Sequence, residues 1–316
     1  MPPRLRLRLL YLLTPPTLLT YTIHRTLTHL ETKYPPIPAA QGSTAALTTP
    51  TNPSTQRCAE IDIYQARVPV RALLRAEAAL TGTDPNTTTT TTTTTENNPD
   101  NPPRISQATL QKAWAHLFLT SPILQTEAKL IGLLTTGRFH PGDVGLSAAG
   151  FAAVPSETVP DTVIDTDTAP KDPESQGWQK RKLINGGFIV ERDPESPGGL
   201  LASWRIPDEA REFFERLARW GYPCRLMSGG RHEWGVSEVY FCKSEDGGGG
   251  EGEGEGEGEG KAGEWVVDVR FGSAHDYEIV EAEGAAQKVV PRWVGRLHRG
   301  FARVLVEDAV RRLRDW

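Results

Sequence analysis

Cysteine is scarce in this sequence: Cys58, Cys224 and Cys242 are the only three in 316 residues. None forms a CxxC pair, so their spacing supports neither a zinc site nor a disulfide framework. The pattern suits a reducing compartment, with the cysteines as small apolar residues. Acidic side chains are missing from the start of the chain, where Glu31 is the first. Long apolar runs are missing as well. The best stretch, Leu9 to Ile23, falls short of the roughly 20 residues that a membrane span needs, and Pro15 and Pro16 interrupt it. There is no serine-nucleophile elbow, no P-loop and no Cys–His pairing, which removes the commonest signatures of acyl and phosphoryl transfer.

A surplus of one charge sign is also lacking once low complexity is set aside. The net charge of -5 owes much to the five glutamates between Glu251 and Glu259. Outside that tract the chain is close to neutral, so the acidic balance points to no partner, and no nucleic-acid ligand is expected.

Much of the chain has too little apolar mass to offset the entropy of ordering it. Residues 31–57 are rich in Pro, Thr and Ala and are expected to be a disordered linker. Three further stretches are expected to be disordered loops: about 82–103 with its threonine run, 155–177, and the Glu-Gly alternation of 245–263. The remaining roughly 200 residues suit one domain, over 58–316, with expanded loops. Residues 1–30 carry Arg4, Arg6, Arg8 and Arg25 without an acid. An Arg-rich, acid-free, hydroxyl-containing leader is expected to be a mitochondrial transit peptide, with a signal-anchor segment touching a membrane as the alternative.

What is present is a strand–helix pattern ending in a long amphipathic helix. Ala59–Val70 predicts a first strand, and 106–119 and 122–134 predict two helices in tandem, the second opened by Ser121–Pro122. Strands are expected at 183–191, 200–206, 232–242 and 264–271, with a helix from Asp208 to Trp220 between the second and third. In the last strand Trp265, Val267, Val269 and Phe271 alternate with polar residues, which predicts one buried and one wet face. From Pro291 onward Trp293, Leu297, Phe301, Val304, Leu305, Ala309 and Leu313 recur at helical spacing, with arginines on the other face. At about 1.5 Å per residue such a helix is roughly 36 Å long and can cross a whole sheet. The fold expected is α+β: a curved antiparallel sheet packed on the C-terminal helix, with two short helices after the first strand.

The segments IDIYQARVP (61–69), AWAHLFLTSP (113–122), GGFIVERD (186–193), RHEWGVS (231–237), VVDVRFGSAHDYE (266–278) and GRLHRGFARVLVEDAVRRL (295–313) carry a resemblance. In that order they resemble an uncharacterised family of helix-grip domains in the START/polyketide-cyclase superfamily. The resemblance implies a cavity between sheet and final helix that takes a hydrophobic small molecule or lipid, without a cofactor. The chain departs from the pattern by lacking a G-x-G-x-x-G nicotinamide-binding unit and by carrying the extra helix at 208–220.

Two sets of residues could carry chemistry. His232 and Glu233 open one strand, and His275 and Asp276 follow the next, so a hairpin would bring them together as an acid–base group. An enzyme of the same fold, a cyclase, dehydratase or hydrolase, would use His232 with a nearby carboxylate; no metal site is expected. A ligand pocket would instead be lined by Phe188, Trp204, His232, Trp234, Tyr240, Trp293, Leu297 and Phe301, with His298 beside the stripe. A membrane-associated scaffold is the remaining alternative.

Overall fold

The strand Glu264–Glu278 is the spine of the molecule. Its alternation of β-branched and aromatic residues with polar ones gives two distinct faces, and both of its edges are paired. The computed structural model describes residues 3–82, 103–134, 154–155, 178–179, 182–183, 188–243, 263–284 and 286–315. The low-complexity stretches expected at about 82–103, 155–177 and 245–263 lie outside the described residues, apart from positions 82, 103, 155 and 263.

In chain order the elements are α1 (Pro3–Lys33), the single turns α2 (Ala39–Gly42) and α3 (Ala45–Thr48), β1 (Gln56–Pro69), α4 (Val70–Thr81), α5 (Gln107–Leu119) and α6 (Pro122–Leu134). Short strands β2 (Val154–Pro155), β3 (Trp178–Gln179) and β4 (Lys182–Leu183) follow, then β5 (Phe188–Arg192), β6 (Leu200–Arg205) and α7 (Asp208–Arg219). The chain closes with β7 (Gly229–Val236), β8 (Tyr240–Cys242), β9 (Glu264–Glu278), a 3₁₀ turn (Glu281–Glu283) and α8 (Arg292–Asp315).

The main sheet is antiparallel, curved and unclosed, in the order β1-β9-β7-β6-β5-β4, with β8 on the free stretch of β9. β1 pairs along nearly all of β9, from Gln56 opposite Glu278 to Pro69 opposite Val266. On the other edge β7 and β8 share β9, with Val236 opposite Val269 and Tyr240 opposite Val266. The C-terminal helix α8 packs across this sheet, so the expected α+β, helix-grip-like arrangement is the one observed.

The inner face holds the main core. Tyr64, Val68, Val267, Val269, Phe271 and Trp234 meet α4, α5 and α8 through Leu73, Leu110, Trp114, Phe118, Leu305 and Ala309. Phe118 stacks on Phe271 at 4.7 Å and meets Trp114 and Trp234 edge-on. The buried Trp114 indole donates to the Arg270 carbonyl at 2.9 Å, which fixes α5 to the spine strand.

Two elements differ from expectation. The helix α4 was not expected; it starts directly after Pro69, which ends the strand, and Ala72, Leu73 and Ala76 bury its inner face. The segment expected to be a linker packs against the outer face of the sheet instead. Leu47 is fully buried with Ile63, Leu201 and Ala274, and the Ile37 amide donates to the Ile63 carbonyl at 3.0 Å. A few well-spaced apolar residues suffice there, because the sheet supplies the rest of the contact.

The second half of α1 lies on α8. Leu27 sits where a Cβ on Gly300 would be 2.0 Å away, so glycine at 300 sets the close approach of the two helices. Arg296 holds the Glu31 carboxylate at 2.8 and 3.0 Å, and Lys33 and Tyr34 both donate to Glu307. Among the described residues no helix is long and apolar enough to cross a membrane.

Candidate functional site

Strand alternation splits the histidine–carboxylate set that sequence order groups together. His232 and His275 project to the inner face, and their neighbours Glu233 and Asp276 project to the outer face. Asp276 forms a buried pair with Arg231, whose Nη2 lies 2.9 Å from Oδ1, while Arg231 Nε donates to the Leu47 carbonyl at 2.9 Å. Glu233 accepts from Arg192 Nη2 at 2.9 Å and from the Thr44 amide at 3.0 Å, with the Thr44 hydroxyl as a third donor. These carboxylates are fully engaged in clamping residues 44–51 to the sheet, and neither faces either histidine.

The inner face between the β7–β9 end of the sheet and the first half of α8 carries a different polar group. The register sets it out in rows: Glu60 opposite His275 opposite Gly230 opposite Trp204, and beside it Asp62 opposite Ser273 opposite His232. Gly230 is required, since a Cβ there would lie 2.2 Å from the Ala274 carbonyl and 2.8 Å from the Trp204 ring. The gap lets the half-buried Trp204 indole lie across the sheet, edge-on to His275 at 6.1 Å and stacked on His232 at 6.0 Å. His232 is stacked on its other side with Phe271 at 5.2 Å, and Phe188 meets it edge-on at 5.2 Å.

From α8, His298 reaches down to His275, and their Nε2 atoms are 2.9 Å apart. The other nitrogen of His275, Nδ1, is 3.8 Å from the Glu60 carboxylate, and Ser273 Oγ lies 3.5 Å from Nε2. The imidazole beside it, helped by Arg299 and His298, holds Glu60 below its ordinary value in spite of burial. An ionised Glu60 favours the proton on His275 Nδ1, which leaves His275 Nε2 to accept from His298. Burial, with His275 and Arg299 adding to it, pushes His298 down to about 4. Burial also drives His232 well below the ordinary imidazole value, with the other two histidines contributing and the Gly272 backbone opposing. Asp62 is raised by burial, against the pull of Arg299 and His275.

Several of these groups have a buried polar atom with no hydrogen-bond partner among the described residues: Asp62 Oδ2, Tyr64 OH, Trp204 Nε1, His232 Nδ1 and His275 Nδ1. Concentrating such atoms on one face is costly, because each forgoes water without a replacement. No group of three or more His, Cys, Asp or Glu side chains converges as metal ligands among the described residues.

Of the expected pocket residues, Phe188, Trp204, His232 and Trp234 gather on this face, and Phe301 packs against the adjoining core. Tyr240 lies elsewhere, on the outer face, where its hydroxyl bonds Arg67 and Asp268. Trp293 and Leu297 are 67% and 45% exposed, so they line nothing. Along α8 repeated burial starts at Gly300, and before it only Gly295 is buried.

Glu60 and Asp62 were missed. They alternate with Ile61 and Ile63, whose face is the one covered by Ile37 and Leu47.

A depression of about 430 Å³ opens away from this face, between α4 and the start of α5, beside Glu77, Lys112 and Glu195. Comparison with family models, with curated proteins and with solved structures returned no match to this chain.

Proposed function

We propose that this protein is a helix-grip binding domain that holds a small, largely apolar organic molecule between its curved sheet and the first half of α8. Trp204, Phe188 and His232 would form the aromatic wall, and Glu60, Asp62, His275 and His298 would supply hydrogen bonds to a polar end. One observation carries this reading: the unpartnered buried atoms of Asp62, Tyr64, Trp204, His232 and His275 share one face beside half-buried aromatic rings. A ligand with both donors and acceptors would satisfy them, whereas a solid core gains nothing from them. The helix-grip-like architecture supports the same reading by analogy.

Native mass spectrometry of the full chain, followed by solvent extraction, tests it. A stoichiometric organic adduct that disappears in Trp204→Ala and Asp62→Asn is expected. A bare mass for the wild type, together with a His232→Phe variant that is more stable by about 1–3 kcal/mol, would identify those polar atoms as unredeemed burial and end the reading.

The histidine pair favours a second reading, an enzyme that moves a proton within the same site. Its acid–base groups would be His275 and His298, oriented by Glu60, in place of His232 with Glu233 or Asp276. Proton uptake on ligand binding that is lost in His298→Asn would separate this from simple carriage.

A further inference from the structure

Helix α7 is amphipathic, yet it meets the body of the protein with its polar side. The residues turned inward are Arg211, Glu215 and Ala218, and Ala218 is the only one buried. Glu215 pairs with Arg225, which also holds Glu283 at 2.8 Å, and Arg211 reaches to 4.0 Å from Glu278. The helix is therefore fastened by ion pairs. Its apolar stripe is exposed at Ala210, Phe213 and Phe214 and half-buried at Leu217. Phe213 is 50% exposed, and the stripe continues into Trp220, 83% exposed, and Tyr222. Gly221, at φ +97°, turns the chain after the helix, and the Tyr222 amide closes the turn on the Leu217 carbonyl at 3.0 Å. A surface helix normally does the reverse, burying the stripe and wetting the charges. Four large aromatic side chains held outward on an ion-paired helix mark an interaction surface.

The charges beside the stripe select the partner. At about 100° per residue, Glu209, Glu212, Arg216 and Arg219 lie along one flank of the stripe. Along this flank the acidic residues come first and the basic residues second. Two copies of α7 laid antiparallel about a two-fold axis bring Glu209 and Glu212 of each against Arg216 and Arg219 of the other, with Phe213 and Phe214 at the axis. An anionic lipid surface would meet the same two acids unfavourably. We propose that the outward face of α7, continued by Trp220 and Tyr222, is a two-fold, antiparallel interface with a second copy of this chain.

The size of the patch sets the affinity. Four aromatic side chains, from 37% exposed at Phe214 to 83% at Trp220, offer on average about 100 Å² apiece, so two copies would bury about 800 Å². That lies below the roughly 1,200 Å² of stable complexes, and the dimer is reversible and concentration-dependent.

Sedimentation velocity on the full chain over a wide concentration range tests the proposal. The wild type shifts from monomer to dimer with rising concentration. The exposed pair Phe213→Gln, Phe214→Gln leaves circular dichroism unchanged and weakens association at least about tenfold. Glu212→Arg and Arg216→Glu each weaken it, and the two together restore it, a pattern that non-specific adhesion cannot give. A wild type that stays monomeric overturns the proposal, as does a dimer indifferent to the phenylalanine pair or to the charge exchange. Flotation of monomer with phosphatidylserine vesicles, abolished by the phenylalanine pair, would overturn it too and assign the face to lipid.

Discussion

His275 on β9 and His298 on α8 face each other through their Nε2 atoms at 2.9 Å, so a single hydrogen bond between two imidazoles joins the sheet to the helix that grips it. The neighbours of that bond are Glu60 and Asp62 on β1, His232 on β7, Arg299 on α8 itself, and Arg303 one turn further along α8. With His298 held at about 4, the folded state refuses a proton that the unfolded chain accepts near its ordinary value of 6.5.

Stability should therefore fall as pH drops from 6.5 towards 4, since the unfolded state binds the extra proton in that window. The lowered His232 acts in the same direction, and the raised Asp62 opposes it at the acid end. Unfolding free energies from urea melts across that range should decline, by about 3 kcal/mol for the His298 contribution. His298→Asn should flatten the slope; an unchanged slope would mean that His298 is not held neutral by its surroundings.

Asp62→Asn removes a buried carboxylate whose Oδ2 has no partner among the described residues. At neutral pH the variant should gain about 1 kcal/mol, because the desolvation cost of the charge disappears. The gain should shrink on acidification, where the wild-type carboxyl is already protonated. Loss of the organic adduct in a variant that is more stable would tie Asp62 to binding.

Asp276→Asn leaves the buried Arg231 guanidinium without its counter-charge and should cost about 3–5 kcal/mol. Because Arg231 also holds the Leu47 carbonyl, hydrogen exchange should rise first at residues 44–51. Ligand occupancy per folded molecule should stay unchanged, as Asp276 faces away from the site. Lost occupancy at full folding would return Asp276 to the list of site residues.

Gly230→Ala places a methyl group 2.2 Å from the Ala274 carbonyl and against the Trp204 ring. The Ala274 carbonyl is backbone and cannot yield, so β7 must shift from β9, at a cost of about 1–3 kcal/mol. Trp204 fluorescence should shift with it. A variant of wild-type stability and spectrum would contradict the packing of Trp204 over Gly230.

The elements legible in the sequence were those whose burial pattern and turn chemistry agreed. β9 and α8 carry unbroken periodicity, and Pro122 opens α6 as the Ser121–Pro122 pair suggested. Even there the local detail was settled at longer range, since the Ser121 hydroxyl donates to Asp308 on α8 at 2.7 Å. For the site, the sequence placed His298 beside the apolar stripe, but it put His232 at a strand start and His275 beyond a strand ending at 271, whereas both lie inside strands, β7 starting at Gly229 and β9 running on to Glu278. It also paired them with the adjacent acids, which alternation turns to the opposite face.

By itself the sequence determined the α+β class, the principal strands and the long closing helix, because each depends on periodicity within one segment. Only the tertiary structure decided which face of each strand is covered and by what. Residues 37–51 cover the outer face, so Ile61 and Ile63 point there, and Glu60 and Asp62 turn inward to the histidines. Alternation defines two faces but does not say which will meet α8; that depends on segments distant in sequence competing for the same sheet.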